Sequence, residues 1–115
     1  MKKIRVGIVG VSGYAGLDLI RILLKHPAVD FVAAMDAAEI GETPLAGIHS
    51  YLSGLSNLVT FAPERERLSG FHLDTVFFCT PDKVSHDLAP IFLSLGVRVI
   101  DFSGAFRLNN PESYP

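Results

Sequence analysis

The stretch Gly10-Val11-Ser12-Gly13-Tyr14-Ala15-Gly16 decides the fold, because it lies between a short apolar run and a helical pattern. The β-branched run before it predicts a buried strand, Ile4–Val9. After it, apolar residues recur at helical spacing until Pro27 prevents continuation, which predicts a helix over Gly13–Lys25. A second apolar run, Val29–Met35, completes a strand–turn–helix–strand unit.

The remainder of the chain continues the same alternation. The pattern of residues 74–102 predicts a strand at Asp74–Thr80, a helix at Val84–Leu95 and a second strand at Val97–Phe102. The segment between these two regular parts is less ordered, and we predict a short helix near Pro44–Leu52 and a short strand near Val59–Phe61. Alternating strands and helices indicate an α/β protein with a doubly wound, Rossmann-type parallel sheet, in a single domain over residues 1–115.

Composition excludes several classes of protein. Hydrophobic residues make up 49% of the 115 residues, yet no apolar run approaches the roughly 18 to 20 residues of a membrane span. The net charge of −2 favours neither nucleic acid nor an anionic membrane as a partner. The single cysteine, Cys79, cannot form an internal disulfide, so we expect a cytoplasmic protein. We predict no metal site.

The glycine-rich turn has the residue types that a dinucleotide pyrophosphate requires. The first N–H groups of a helix lack intrahelical partners and favour a bound anion, and glycine lets the backbone approach it closely. Ser12 can add a hydroxyl donor. The spacing is Gly-x-x-Gly-x-x-Gly, and the alternative interpretation is that these glycines serve only close packing of the helix.

Asp36 ends the second predicted strand, 20 residues after Gly16. An acidic side chain at this point can bond the ribose hydroxyls of adenosine, which favours NAD, and it repels a 2′-phosphate. No Lys or Arg lies between Pro27 and Pro63 to pair with such a phosphate. The alternative role for Asp36 is that of a turn or helix-capping residue.

Other reactive side chains receive structural interpretations. Ser85, His86 and Asp87 are neighbours on a helix, and successive helical side chains diverge by about 100°, so they do not form a triad. Asp87 suits the first turn of that helix, and His86 suits the surface. Cys79 lies in an apolar strand, where a thiol is unreactive and its pKa is raised. Arg107 follows the last strand and from spacing alone is a surface residue.

Three segments together resemble a known family. Residues 7–16 (Gly-Ile-Val-Gly-Val-Ser-Gly-Tyr-Ala-Gly), 84–90 (Val-Ser-His-Asp-Leu-Ala-Pro) and 99–107 (Val-Ile-Asp-Phe-Ser-Gly-Ala-Phe-Arg) resemble the N-acetyl-gamma-glutamyl-phosphate reductases of arginine biosynthesis, which are related to aspartate-semialdehyde dehydrogenase. The resemblance implies NADPH-dependent reduction of an acyl phosphate to an aldehyde with release of phosphate. It also implies a cytoplasmic, homo-oligomeric parent enzyme with a small-molecule acyl-phosphate substrate.

The resemblance also assigns residues to the site. The pyrophosphate is expected on the turn Gly10, Ser12, Gly13, Tyr14, Ala15 and Gly16. Thr80, Pro81 and Ser85 are expected to line the nicotinamide side, with Ser103 and Gly104 near the site. Arg107 becomes a candidate for the substrate phosphate.

Two departures from the family pattern qualify these expectations. The nucleophilic cysteine of the family lies in a Pro-Gly-Cys-Tyr-type segment beyond residue 115, so we expect a truncated two-domain enzyme that is inactive alone. Asp36 and Ala37 stand where many relatives have Ser or Arg, so the expected cofactor is NADP, with NAD as the alternative. Two functions stay open beside this one: a non-catalytic nucleotide-binding module, and a reductase of aspartyl or aminoadipyl phosphate.

Overall fold

Strands and helices alternate along the chain, as the sequence predicts. The structure, a computed structural model, describes residues 2–36, 42–52 and 56–102. In chain order the elements are β1 (Ile4–Val9), α1 (Tyr14–Leu24), β2 (Val29–Met35), α2 (Leu45–Ile48), a 3₁₀ turn (Ser50–Leu52), α3 (Arg65–Ser69), β3 (Thr75–Phe78), α4 (Asp82–Ser94) and β4 (Arg98–Asp101). The strands pair in parallel in the order β2-β1-β3-β4. The predicted α/β class with a doubly wound parallel sheet is therefore confirmed.

The first βαβ unit agrees most closely with its prediction. Strands β1 and β2 have the predicted bounds. Helix α1 lies within the predicted range, because Gly13 and Lys25 are its two cap residues. Strands β3 and β4 are each shorter than predicted, and the five-residue helix α3 was not predicted.

Helix α4 begins earlier than its apolar pattern suggested. Its first residue is Asp82, directly after Pro81, whereas the prediction began at Val84. The acidic side chain in the first turn is consequently that of Asp82, and the interpretation of Asp87 as the first-turn acid was wrong.

The predicted strand at Val59–Phe61 is reduced to isolated bridges. Phe61 pairs in parallel with Met35, and Val59 pairs in antiparallel fashion with Pro44, which has no N–H to donate. The N–H of Phe61 still donates to the carbonyl of Ala34 at 3.1 Å. Phe61 thus occupies the place beside β2 where a further edge strand would give the doubly wound order 3-2-1-4-5.

The two faces of the sheet carry separate cores. Helix α1 packs on one face through Ile20 against Ile8, both fully buried. Helix α4 packs on the other through Phe92, whose ring meets Phe78 edge to face with 5.4 Å between centroids. The crossover from β1 to β2 and the crossover from β3 to β4 run in opposite directions along the sheet. Because both are right-handed, their helices must lie on opposite faces. Strands β1 and β3 therefore form the topological switch point, where ligands of such sheets bind.

Among the residues described, no helix has both the length and the apolar character needed to cross a bilayer.

Candidate functional site

The three glycines of the turn after β1 have different surroundings. Gly10 has φ +94°, and a Cβ there would overlap the carbonyl oxygen of Cys79. A Cβ on Gly16 would lie 2.5 Å from the carbonyl oxygen of Gly10. Close packing therefore explains both of these glycines. It does not explain Gly13, whose Cβ would meet nothing within 4 Å.

Gly13 is the N-cap of α1, and no side chain caps this helix end. The first intrahelical bond across the turn runs from the N–H of Leu17 to the carbonyl of Gly13, at 3.0 Å. The N–H groups before Leu17 have no intrahelical acceptor, as at every helix start. Open space beside an uncapped helix N-terminus is the environment that an anionic group needs.

Asp36 connects the end of β2 to this turn. Its Oδ2 accepts a hydrogen bond of 2.8 Å from the N–H of Ser12, and only 8% of the residue is exposed. The carboxylate therefore bonds the turn itself, as in the alternative interpretation of Asp36 as a turn residue, and its contact with a ribose stays a prediction.

Thr80 and Ser85 form a hydroxyl pair at the carboxyl end of β3. Their Oγ1 and Oγ atoms are 2.6 Å apart, and Ser85 is fully buried. Thr80 and Pro81 line the cavity described below, whereas Ser85 lies behind Thr80 and is not among the lining residues.

These parts surround one cavity of about 610 Å³. Its polar side is formed by the turn after β1 and by Asp36, at the switch point between β1 and β3. Its apolar side is formed by Ala62, Pro63, Val84 and Leu88, which the sequence interpretation missed. Val84 and Leu88 lie on α4 in the segment 84–90 that carries the family resemblance, whereas no motif points to Ala62 and Pro63.

Cys79 also lines the cavity, and its chemistry agrees with the sequence interpretation. Burial raises the pKa of the Cys79 thiol, and the nearby carboxylate of Asp101 raises it further. A thiol with a raised pKa is largely protonated near neutral pH and is a weak nucleophile.

Several predicted site residues lie elsewhere or outside the described residues. Tyr14 is 89% exposed, and Ala15 is exposed beside it. Both lie in the first turn of α1, where backbone N–H groups have no intrahelical acceptor. His86 is on the surface of α4. Ser103, Gly104 and Arg107 lie outside the described residues.

Residues 5–114 match a protein family described as semialdehyde dehydrogenase, NAD binding domain. The chain belongs to this family. It is 41% identical over 110 residues to an N-acetyl-gamma-glutamyl-phosphate reductase from Halalkalibacterium halodurans, and 44% identical over 111 residues to one from Acidithiobacillus ferrooxidans. Each match covers 96% of this chain and 31% of the relative. The chain thus spans about a third of the length of these relatives.

A solved structure gives the same fold for this semialdehyde dehydrogenase domain. Aspartate semialdehyde dehydrogenase with NADP from Candida albicans superposes with a TM-score of 0.79 at 21% identity, covering 94% of this chain and 32% of that one. The family membership and the fold together make this chain the NAD(P)-binding part of an oxidoreductase family.

Proposed function

We propose that this chain binds a nicotinamide dinucleotide as the cofactor-binding domain of an N-acetyl-gamma-glutamyl-phosphate reductase. One observation carries the proposal: the uncapped N-terminus of α1 borders open space at Gly13, at the switch point of a sheet from the semialdehyde dehydrogenase family. The names of the relatives at about 40% identity support the acyl-phosphate substrate.

The cavity suits a dinucleotide in one orientation. The pyrophosphate lies against Gly13 and the first N–H groups of α1. The adenine ring lies between Pro63 and Leu88, because a planar base needs apolar walls on its faces. The nicotinamide lies toward Thr80 and Pro81, where the Ser85 hydroxyl holds Thr80 from behind.

For the cofactor we propose NADP(H), with NAD(H) as the alternative that Asp36 favours. The fold supplies a cation that the linear sequence does not offer near Asp36. Arg67 forms a salt bridge of 2.9 Å to Glu42, and its guanidinium lies 4.4 Å from the ring centroid of Phe61. The carbonyl of Phe61 in turn accepts the N–H of Asp36 at 3.1 Å. Arg67 is thus the candidate for a 2′-phosphate contact.

When bound, the cofactor supplies the hydride that reduces the acyl group. The residues of this chain bind and orient it, and we propose that the 115-residue chain alone does not turn over substrate. Its only cysteine is Cys79. Because the pKa of this thiol is raised, little of it is present as the thiolate that could attack an acyl phosphate. We further propose that the parent enzyme is cytoplasmic and homo-oligomeric.

The test is a titration of the chain with NADPH and with NADH, followed by nicotinamide fluorescence. The matched variants are Gly13→Asp and Gly13→Asn, because Gly13 has room for a side chain and both residues are good helix N-caps. The added carboxylate repels the pyrophosphate, so we expect Gly13→Asp to bind more than about tenfold more weakly than Gly13→Asn. Equal binding by the two variants would show that the pyrophosphate does not bind at this helix N-terminus.

Cofactor choice is tested by Arg67→Ala. If Arg67 contacts the 2′-phosphate, this variant loses affinity for NADPH and keeps its affinity for NADH. If wild-type chain prefers NADH, Asp36 dominates and the cofactor is NAD. A folded chain that binds neither dinucleotide at millimolar concentrations would overturn the proposed function.

Two alternatives have support of their own. A non-catalytic nucleotide-binding module needs only the features that this chain itself has, the uncapped start of α1 and the cavity beside it. A reductase of aspartyl phosphate is favoured by the likeness to aspartate semialdehyde dehydrogenase, and aminoadipyl phosphate is a further substrate of the same chemistry. Joining this chain to the remainder of a relative supplies a catalytic cysteine, so turnover by the hybrid would separate a reductase domain from a non-catalytic module.

A further inference from the structure

One peptide group of the glycine-rich turn is bonded at both ends by side chains. The carbonyl of Val11 accepts a hydrogen bond of 2.7 Å from Nε2 of His49. A carbonyl can only accept, so the proton is on Nε2. The N–H of Ser12, which belongs to the same peptide group, donates to Asp36 at 2.8 Å.

The imidazole of His49 is held in place by its own segment. His49 follows α2, and its N–H donates to the carbonyl of Leu45 at 2.9 Å. Its carbonyl accepts the N–H of Leu52 at 2.9 Å. Leu45 and Leu52 are fully buried in the same apolar cluster as Val11, so the ring approaches the turn from a fixed base.

His49 does not line the cavity. It reaches the Val11–Ser12 peptide group through the carbonyl, while the cavity lies on the side of Ser12 and Gly13. Any effect of His49 on a ligand must therefore pass through the orientation of this peptide group.

We propose that His49 is a positioning residue for the dinucleotide: with Asp36 it fixes the plane of the Val11–Ser12 peptide and thereby the direction of the N–H groups at the start of α1. The proposal rests on the proposed function of the site. A peptide group bonded at both ends cannot rotate freely, and a site ordered before binding loses less entropy when the ligand arrives. Hydrogen bonds in series through one peptide group also polarise one another.

The first measurement needs no ligand. Nitrogen-15 NMR of the wild-type chain should show His49 with its proton on Nε2. In His49→Leu, hydrogen exchange at the Ser12 amide should accelerate several-fold, while amides in the middle of α1 keep their protection. A His49 ring protonated on Nδ1 alone, or an unchanged Ser12 amide, overturns the proposal whether or not the chain binds nucleotide.

The second measurement is affinity for NADPH, NADH and ADP-ribose, which share the pyrophosphate. When the His49 bond is absent, the Val11–Ser12 peptide group must be ordered as the ligand binds, which corresponds to about a three- to tenfold loss in affinity. We expect His49→Leu to weaken all three ligands by this factor and to leave the ratio of NADPH to NADH unchanged. A change in that ratio would instead assign His49 to the ribose end and overturn the proposal.

Rescue distinguishes positioning from bulk packing. The side-chain amide of Gln reaches about as far as Nε2 of histidine, whereas that of Asn reaches only as far as Nδ1. We expect His49→Gln to restore affinity and the Ser12 amide protection, and His49→Asn to resemble His49→Leu. Equal affinities for the Gln and Asn variants would contradict the role. These polar variants also keep the test usable if His49→Leu fails to fold.

The matched control is His26→Leu. His26 is exposed, lies before β2 at the opposite edge of the sheet, and also makes one bond to the backbone, from the N–H of Ala28 at 3.1 Å. This variant loses a comparable hydrogen bond far from the turn and should bind all three ligands like wild type. If wild-type chain binds none of them, the proposed function fails, and the ligand-free NMR result decides the role of His49 separately.

Discussion

Replacing Gly10 with alanine tests why this turn requires glycine. Two costs arise at this position. The φ of +94° is strained for any residue with a Cβ, at about 1 to 2 kcal/mol. The new Cβ would also lie 2.8 Å from the carbonyl carbon of Cys79, and such overpacking costs about 1 to 3 kcal/mol. The contacted atoms are backbone at the end of β3, so they cannot move aside as a flexible side chain would.

One gain opposes these costs. Alanine has less conformational freedom than glycine in the unfolded chain, which stabilises the folded state by about 0.4 to 1 kcal/mol. We therefore expect Gly10→Ala to lower the free energy of unfolding by about 1 to 5 kcal/mol, from the sum of these ranges. A domain of 115 residues has about 6 to 17 kcal/mol in total, so the variant stays folded and measurable.

Two control variants separate the two costs. Gly96 has φ +77° with nothing within 4 Å of a Cβ, so Gly96→Ala carries the strain alone. Gly16 has no positive φ, and a Cβ there would lie 2.5 Å from the carbonyl oxygen of Gly10, so Gly16→Ala carries an overlap without the strain. This overlap is offset by the about 1 kcal/mol by which alanine favours a helix over glycine. Urea unfolding followed by far-UV circular dichroism gives all three values. A Gly10→Ala cost no larger than that of Gly96→Ala would refute the overlap with β3.

Four further predictions concern the residues around the cavity and the core under helix α4. Cys79 should react with a thiol reagent more slowly than an exposed cysteine at neutral pH, because its pKa is raised, and Asp101→Asn should accelerate the reaction; equal rates in the two proteins would contradict the electrostatic contribution. The free energy of unfolding should fall as the pH rises above about 8.5, because the Cys79 thiol ionises in the unfolded chain before it ionises in the folded protein, where its pKa is raised. In Cys79→Ser this part of the decrease should disappear. If the decrease persists, other groups cause it. Ser85→Ala removes the buried partner of Thr80 and should cost about 1 kcal/mol in urea unfolding, a value near zero showing that the hydroxyl pair contributes no net stability. Phe92→Ala empties a fully buried site on α4 and should cost about 3 to 5 kcal/mol by the same assay, and a cost below about 1 kcal/mol would show that the core can collapse around it.

The sequence predicts best those elements whose bounds depend on signals within a few residues. Strands β1 and β2 and helix α1 have their predicted bounds, within a cap residue, because β-branched runs, helical spacing and Pro27 act over a few residues. The position of the glycine-rich turn can also be predicted from the sequence. Gly10 is required by its positive φ, and Gly16 is required by its close contact with the backbone of Gly10.

Elements whose existence depends on a distant partner were predicted less well. Val59–Phe61 has the composition of a strand, but Pro44 opposite Val59 has no N–H to extend the pairing. The start of α4 was placed late because its first turn is polar, and the acidic residue Asp82 rather than an apolar side chain begins it.

The candidate site shows the same division. The sequence by itself determined the glycine-rich turn and its place after a strand, and it placed Asp36 at the end of the next strand. Only the tertiary structure decided that the Asp36 carboxylate bonds Ser12, that His49 holds the other end of the same peptide group, and that Pro63 forms an apolar wall. The carbonyl of Val11 can accept a hydrogen bond from any suitable donor. Its actual partner, His49, is 38 residues away in the chain, and no spacing or residue pattern in the sequence predicts this pairing.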